Sequence, residues 1–319
     1  MVIQLLLLIV GFIILIKGAD IFVDGASSAA SNFKVPKILI GLTVIAFGTS
    51  APEFAVSVKS IISKNYEIVF GNVIGSNILN ILLILGISSF FHPLSVKNNT
   101  IKKELPFTLL LTTLFVVLIS DNIFDKSILN AFTRSDGIIL CLFFLIFIYY
   151  LIVLAIRNND SIEDTKIKTM SLFKSILFII IGVFMIVFGS NFVVNSASNI
   201  AQSLGVSKKL ISLTIIALGT SLPELVTSLV ATRKGEFDLV IGNVIGSNIF
   251  NLGIVIGIPV AIFGGTELIN FNYVDLSVML ISTILLFAFS FNDRKINRRE
   301  GLIFLILFVI YYSYVIVSG

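Results

Sequence analysis

Long apolar stretches separated by short polar ones run along the whole chain. A helix needs about 20 apolar residues to cross a bilayer, and ten stretches come near that length. They are residues 2–30, 38–62, 68–91, 105–120, 137–156, 173–201, 210–232, 239–263, 275–291 and 301–318. The pattern therefore predicts an all-α integral membrane protein with ten transmembrane helices.

Composition supports a polytopic membrane protein. The chain is 57% hydrophobic and 13% charged, whereas a soluble domain carries roughly 25% charged residues. The net charge of +4 comes from lysines and arginines between the apolar stretches, so it indicates topology and no nucleic-acid partner. The single cysteine, Cys141, excludes an intrachain disulfide, and nothing in the chain suggests a cofactor.

Two motifs occur twice, with the copies 171 positions apart. GLTVIAFGTSAPEFAVS at 41–57 matches SLTIIALGTSLPELVTS at 212–228, and GNVIGSNILN at 71–80 matches GNVIGSNIFN at 242–251. A polar linker, 157–172, divides the chain into halves 1–156 and 173–319 with five predicted spans each. Because five is odd, the second half must enter the membrane from the opposite side. We therefore predict two inverted five-helix repeats, an organisation typical of secondary transporters.

The loop charges predict the orientation of the protein in a cell membrane. One set of loops carries fifteen lysines and arginines, and the other set carries six. The richer side should be cytoplasmic. The linker 157–172 then lies in the cytoplasm, and both termini lie outside it.

Each repeat places one glutamate, Glu53 or Glu224, inside an otherwise uncharged apolar stretch. A carboxylate in the bilayer costs several kcal/mol, by rough estimates, and is functional by default. The structural alternative is an ion pair with a buried lysine, for which Lys17 is the one plausible residue. Two acids related by a repeat favour a cation site where the repeats meet.

The residues around the glutamates supply further oxygen ligands. A proline precedes each glutamate and removes a helical hydrogen bond, so we expect freed carbonyls at 46–49 and 217–220. In the second motif, Ser76 shares a helical face with Asn80, and Ser247 shares one with Asn251. GxxxG spacing can also mean helix packing alone. An all-oxygen ligand set without histidine or cysteine suits Ca²⁺ or Na⁺.

Paired GTS-x-PE and GNxxGSNxxN motifs in this order resemble the calcium/cation antiporter superfamily, specifically the prokaryotic sodium/calcium exchangers. The resemblance covers essentially the whole chain. It implies a secondary antiporter that exchanges Ca²⁺ for Na⁺ by alternating access, with three Na⁺ per Ca²⁺ and hence electrogenic transport. The lipid bilayer and the two ions are the implied partners, and the chain is expected to function as a monomer and not as an enzyme.

The resemblance also implies roles for individual residues. Central Ca²⁺ ligands would be Glu53, Glu224, Thr49 and Thr220. Flanking Na⁺ ligands would be Ser50, Ser76, Ser221, Ser247, Ala46 and Ala217. A middle layer would be Asn80 and Asn251. Some relatives carry aspartate in place of Asn251, so asparagine lowers the formal charge of the site and argues against potassium dependence.

Three alternatives stay open at this point. Protons could titrate the same two glutamates, which would make the protein a proton-coupled Ca²⁺ exchanger on the same scaffold. An intramembrane hydrolase would need a serine–histidine pair, a metal-binding histidine cluster or paired catalytic aspartates. His92, the single histidine, lies at a helix end, and no aspartate pair lies in the middle of a predicted span. A passive channel is disfavoured because single-file pores are usually oligomeric rings or carbonyl filters.

Overall fold

A computed structural model describes residues 2–124, 130–157, 170–206, 217–268 and 273–318. The helices are α1 (Val2–Asn32), α2 (Lys37–Thr49), α3 (Ala51–Ile62), α4 (Tyr66–Phe91), α5 (Leu105–Leu118), α6 (Asp121–Phe124), α7 (Arg134–Arg157), α8 (Leu172–Ser203), α9 (Ala217–Thr220), α10 (Leu222–Arg233), α11 (Phe237–Phe263), α12 (Tyr273–Phe291) and α13 (Arg298–Ser318). The strands are β1 (Leu94–Ser95), β2 (Asn130–Phe132), β3 (Thr266–Leu268) and β4 (Lys295–Ile296). Most of the predicted linker 157–172 and the start of the predicted span 210–232 lie outside the described residues.

The protein is a multi-pass membrane protein. Among the described residues, 7 helices are each long and apolar enough to cross a bilayer, and the bent pair α2–α3 makes 8. Large apolar side chains are exposed along α1, α7, α8 and α13, as lipid-facing helices require. Helices α5 and α10, with 14 and 12 residues, fall below that length test, so the count of ten spans stays a prediction.

The two longest helices, α1 and α8, pack against each other in antiparallel directions. Gly11 lies against Val193, and Gly189 lies against Leu15, so residue numbers rise along one helix as they fall along the other. A Cβ atom added at Gly189 would lie 2.6 Å from the backbone nitrogen of Leu15. Glycine therefore permits a backbone approach that any larger residue would block.

Helices α4 and α11 lie at the centre of the molecule and are its most buried long helices. Each contains one π-helical turn, Asn80–Leu85 in α4 and Asn251–Ile256 in α11. Such turns are frequent at functional sites because they rotate the side chains of one helical turn relative to the rest. Both begin at the asparagine that ends the repeated motif.

Two short antiparallel ribbons connect the halves. Strand β1 pairs with β4, with Leu94 opposite Ile296, and β2 pairs with β3, with Ala131 opposite Glu267. Each ribbon takes one strand from either half of the chain. The halves are therefore joined at these ribbons as well as through the packing of their long helices.

Candidate cation site

Two helix breaks position the glutamates. Ser50 separates α2 from α3 with φ −84° and ψ 5°, and Ser221 separates α9 from α10 with φ −90° and ψ 6°. The α2–α3 axis bends by 47° at the first break. Pro52 and Pro223 lie in the first turn of the helix that follows, where a missing N–H costs no intrahelical bond. Each glutamate also lies in that turn, where the helix dipole favours a carboxylate.

The two glutamates converge because each is bound by a serine of the other half. The Ser50 hydroxyl donates to Oε1 of Glu224 at 2.9 Å, and the Ser221 hydroxyl lies 3.4 Å from Oε1 of Glu53. Glu53 is 0% exposed and Glu224 is 1% exposed. The chain therefore buries two carboxylates at the junction of its halves, as the repeat predicts.

Four buried oxygen atoms at this junction accept no hydrogen bond from any described residue. They are the second carboxylate oxygens of Glu53 and Glu224 and the amide oxygens of Asn80 and Asn251. Each pair is related by the 171-residue offset. Buried polar atoms are normally hydrogen-bonded, so four acceptor oxygens without donors among the described residues leave room for a bound cation or water.

Charged side chains do not replace a cation at this junction. In the described part of the chain, the ion pairs of lysines involve Asp20, Asp24, Glu236 and Asp238, and neither site glutamate takes part in one. The alternative of an ion pair with Lys17 therefore fails. No cluster of three acidic, histidine or cysteine side chains occurs within the described ranges, so a cation here would need neutral oxygen ligands beside the two carboxylates.

Asparagines in the first half of each GNVIGSN motif support the glutamate-bearing helices. Asn72 donates to the backbone carbonyl of Glu53 at 3.2 Å, and Asn243 lies 3.5 Å from the carbonyl of Glu224. Their own amide oxygens face the Thr220 hydroxyl at 3.4 Å and the Thr49 hydroxyl at 3.1 Å. Neither asparagine is among the site residues predicted from the sequence, although an amide repeated inside two apolar helices is itself a signal.

The serines expected to flank the centre are all buried beside it. The hydroxyls of Ser221 and Ser76 lie 3.1 Å apart, which links α4 to the break before α10. The Ser247 hydroxyl lies 3.5 Å from the amide oxygen of Asn243. Ser50, Ser76 and Ser221 thus each hydrogen-bond a site glutamate. Ser247 contacts Asn243 instead.

Freed carbonyls are expected over 46–49, and within that range the carbonyl of Ala46 is not free. Its oxygen accepts the backbone N–H of Ser50 at 3.0 Å. In an α-helix, each N–H bonds the carbonyl four residues earlier. Because proline has no N–H, Pro52 leaves the Gly48 carbonyl without this donor, and Pro223 does the same to the Gly219 carbonyl. The Gly219 carbonyl instead accepts the hydroxyl of Ser190 on α8 at 3.1 Å.

The remaining expected ligands lie in the same turns. Thr49 is fully buried, and its hydroxyl lies 3.0 Å from the Ile45 carbonyl and 3.1 Å from the amide oxygen of Asn243, so its one proton can go to either acceptor. Thr220 precedes the break before α10, and Ala217 begins α9 as the first described residue after a gap. Ligation by the carbonyls of these residues stays a prediction.

A second group of charges lies in the C-terminal half of α1. We call Asp20, Asp24 and Lys234 the ionic cluster. The Lys234 ammonium lies 2.7 Å from Asp24 and 3.5 Å from Asp20. Beside it, Lys37 pairs with Glu236 at 2.6 Å. These pairs join α1 and α2 to the turn between α10 and α11.

Comparison with known proteins covers nearly the whole chain. A family model described as sodium/calcium exchanger protein matches residues 3–153 and 174–317. An uncharacterized membrane protein of Methanocaldococcus jannaschii is 35% identical over 304 residues, which is 95% of this chain and 94% of that protein. A sodium/calcium exchanger of Methanosarcina acetivorans is 29% identical over 96% of this chain and 97% of its own length.

A solved structure agrees with the fold. The sodium-calcium exchanger NCX_Mj, soaked with 2.5 mM Na⁺ and 0.1 mM Ca²⁺, superimposes with a TM-score of 0.84. The match is at 33% sequence identity and covers 98% of each chain. Sequence and structure thus point to the same group of membrane exchangers, and the chain belongs to the sodium/calcium exchanger family.

Proposed function

We propose that this protein is a secondary antiporter that exchanges Ca²⁺ for Na⁺ across the cell membrane by alternating access. The observation that carries the proposal is the pair of buried carboxylates, Glu53 and Glu224, each with one oxygen that no described residue bonds. Family membership supports cation antiport. The charge and ligand chemistry of the site support the choice of ions.

Charge balance explains why such a site would exchange ions. One Ca²⁺ neutralises both glutamates, with the carbonyls of Thr49 and Thr220 completing its ligands. An empty site would leave two carboxylates uncompensated in the membrane, which costs several kcal/mol by rough estimates and opposes return without cargo. The protein would therefore move one ion inward only by moving another outward.

Sodium would compete for the same carboxylates from flanking positions. Ligands there would be the four site serines and the carbonyls of Ala46 and Ala217. The Ala46 oxygen already accepts the N–H of Ser50 at 3.0 Å and lies 3.4 Å from the Thr49 hydroxyl, so Na⁺ would take the place of that hydroxyl there. Three Na⁺ against two carboxylates would leave one net positive charge, and exchange would be electrogenic.

The alternating-access part of the proposal rests on two inverted five-helix repeats, 1–156 and 173–319, with ten spans in all. Hydrogen bonds that recur at the 171-residue offset support it, as do two helix breaks with nearly equal dihedral angles. The antiparallel pair α1 and α8 would slide against the core formed by α4 and α11. Each chain supplies both glutamates, so a monomer would suffice.

The test is uptake of radioactive calcium into proteoliposomes that contain the purified protein. An outward sodium gradient should drive uptake, and a potassium-induced membrane potential should change its rate if transport is electrogenic. Uptake driven by a proton gradient and indifferent to sodium would instead establish the proton-coupled alternative. Fluorescent labelling of an accessible cysteine placed in 157–172 would test the cytoplasmic position of the linker. The same labelling of a cysteine placed at each terminus would test the external position of both termini.

A further inference from the structure

An asparagine is an ambiguous ligand for a cation. One side of its amide is an acceptor oxygen, and the other is an NH₂ donor group that a cation repels. A carboxylate has no such ambiguity because both its oxygens accept. Asn80 and Asn251 can therefore serve the site only if some other group fixes which side of each amide faces the ions.

Two further asparagines, Asn77 and Asn248, contact these amides. Asn251 donates its NH₂ group to the amide oxygen of Asn77 at 3.0 Å, and Asn80 donates to the amide oxygen of Asn248 at 2.9 Å. All four side chains are between 1% and 2% exposed. The pairs are related by the 171-residue offset, so the same arrangement occurs in both halves.

Backbone carbonyls fix the direction of the whole network. The NH₂ group of Asn77 lies 3.5 Å from the carbonyl of Asn248, and the NH₂ group of Asn248 lies 3.4 Å from the carbonyl of Asn77. A carbonyl oxygen can only accept, so each of these amides must turn its NH₂ group toward it. Their own oxygens then face Asn251 and Asn80.

The orientation of the Asn77 amide also fixes that of the Asn251 amide. Because Asn77 presents an oxygen, Asn251 must present its NH₂ group in return, and its own oxygen points the other way. That oxygen is buried and accepts no bond from the described residues, and the same holds for Asn80. We infer that Asn77 and Asn248 are positioning residues that hold the oxygens of Asn251 and Asn80 toward the transported cation.

This inference rests on the proposed function, and it makes a prediction that a merely structural role does not. Asn77→Leu removes the acceptor, so the Asn251 amide becomes free to turn its NH₂ group toward the ion. Apparent Ca²⁺ affinity should fall by roughly tenfold to a hundredfold, the loss expected for one hydrogen bond or ligand to a charged group. Asn251→Asp introduces a carboxylate, and because both its oxygens accept, it needs no partner to orient it. One of these oxygens would lie against the acceptor oxygen of Asn77 and be repelled by it. In an Asn251→Asp background, Asn77→Leu should therefore cost nothing or increase affinity.

The experiment is a double-mutant cycle on the full-length protein: wild type, N77L, N251D and N77L/N251D, measured by calorimetric Ca²⁺ titration in detergent and by calcium uptake in proteoliposomes. The cycle N248L, N80D and N248L/N80D repeats it in the other half. Should leucine prevent insertion, Asn77→Ala and Asn248→Ala remove the same acceptor without adding bulk. Equal loss of affinity in both backgrounds would overturn the inference, as would no loss in N77L.

Failure of the proposed function would look different. In that case neither wild type nor N251D would bind Ca²⁺ or take it up in response to a sodium gradient. A wild type that exchanges Ca²⁺ and an N77L variant with unchanged affinity would reject the positioning role alone. Rescue of N77L by N251D, with wild-type exchange intact, is the expected result.

Discussion

The middle of the molecule and the ionic cluster differ in how well they follow the repeat. At the middle, contacts occur twice: Ser50 with Glu224 matches Ser221 with Glu53, and Asn80 with Asn248 matches Asn251 with Asn77. At the ionic cluster the match fails. The positions equivalent to Asp24 and Lys234 are the uncharged Asn195 and Ser63.

This difference has a physical reason in the proposed mechanism. A site that opens to each side in turn must offer the same ligands from both directions. Its residues therefore stay equivalent in the two repeats. The ends of the helices face two different solutions and a charge asymmetry across the membrane, so they are free to diverge. In the middle of the molecule, variants at two positions related by the repeat should therefore have similar effects. At the ionic cluster, two such variants should have different effects.

The largest effect is expected from the glutamates. Glu53→Gln and Glu224→Gln should each abolish calcium-dependent exchange, because one remaining carboxylate cannot neutralise Ca²⁺. The measurement is sodium-driven calcium uptake in proteoliposomes, with membrane insertion and gel-filtration profile as controls. Retained uptake in either variant at neutral pH would refute the shared site, and unequal loss would show that the centre is less symmetric than its contacts.

An intermediate effect is expected from the serines that bind those glutamates. Ser50→Ala and Ser221→Ala each remove one hydrogen bond to a buried carboxylate, which corresponds to roughly tenfold in apparent Ca²⁺ affinity. The two variants should lose similar amounts because the contacts are equivalent. Ser50→Thr and Ser221→Thr, which keep the hydroxyl, are the matched controls, and full affinity in the alanine variants would exclude a role for these contacts.

The smallest effect is expected at the ionic cluster. Lys234→Met breaks partly exposed ion pairs, which contribute about 0–1 kcal/mol, so thermal stability should change little. Apparent Ca²⁺ affinity should shift by less than about fivefold, with unequal shifts when measured from the two sides of oriented vesicles. Ser63→Ala, at the equivalent position, should change neither. Identical shifts from both sides would show that the cluster does not distinguish the two orientations.

Much of the site could be predicted from the sequence because the repeat and the prolines act locally. An acid one residue after a proline in an apolar helix specifies both a helix break and a buried carboxylate, and both occur at Glu53 and Glu224. Within the predicted range 46–49, Ala46 keeps its hydrogen bond because the bond lost at a proline belongs to the residue four positions earlier. That register is available from the sequence, and it selects Gly48.

Other features depend on contacts that a sequence does not encode directly. Asn72, Asn77 and their equivalents were missed because their partners lie on other helices, so the donor and acceptor roles follow only from the packed structure. The partner of Asp24 was missed for the same reason, since Lys234 lies 210 residues away along the chain. Helix positions and break sites are local properties, whereas amide orientation is a property of the assembled core.

The bond from Ser190 to the Gly219 carbonyl makes α1 and α8, the two helices that the proposed mechanism would move, unequal. It ties α8 to the turn before Pro223, whereas Ala19, the equivalent residue on α1, has no hydroxyl to offer Gly48. If α8 shifts, the kink bound to it must either travel with it or give up a buried bond. Ala19 provides no such bond at the kink of the first half. We therefore expect opening toward one compartment to require more free energy than opening toward the other.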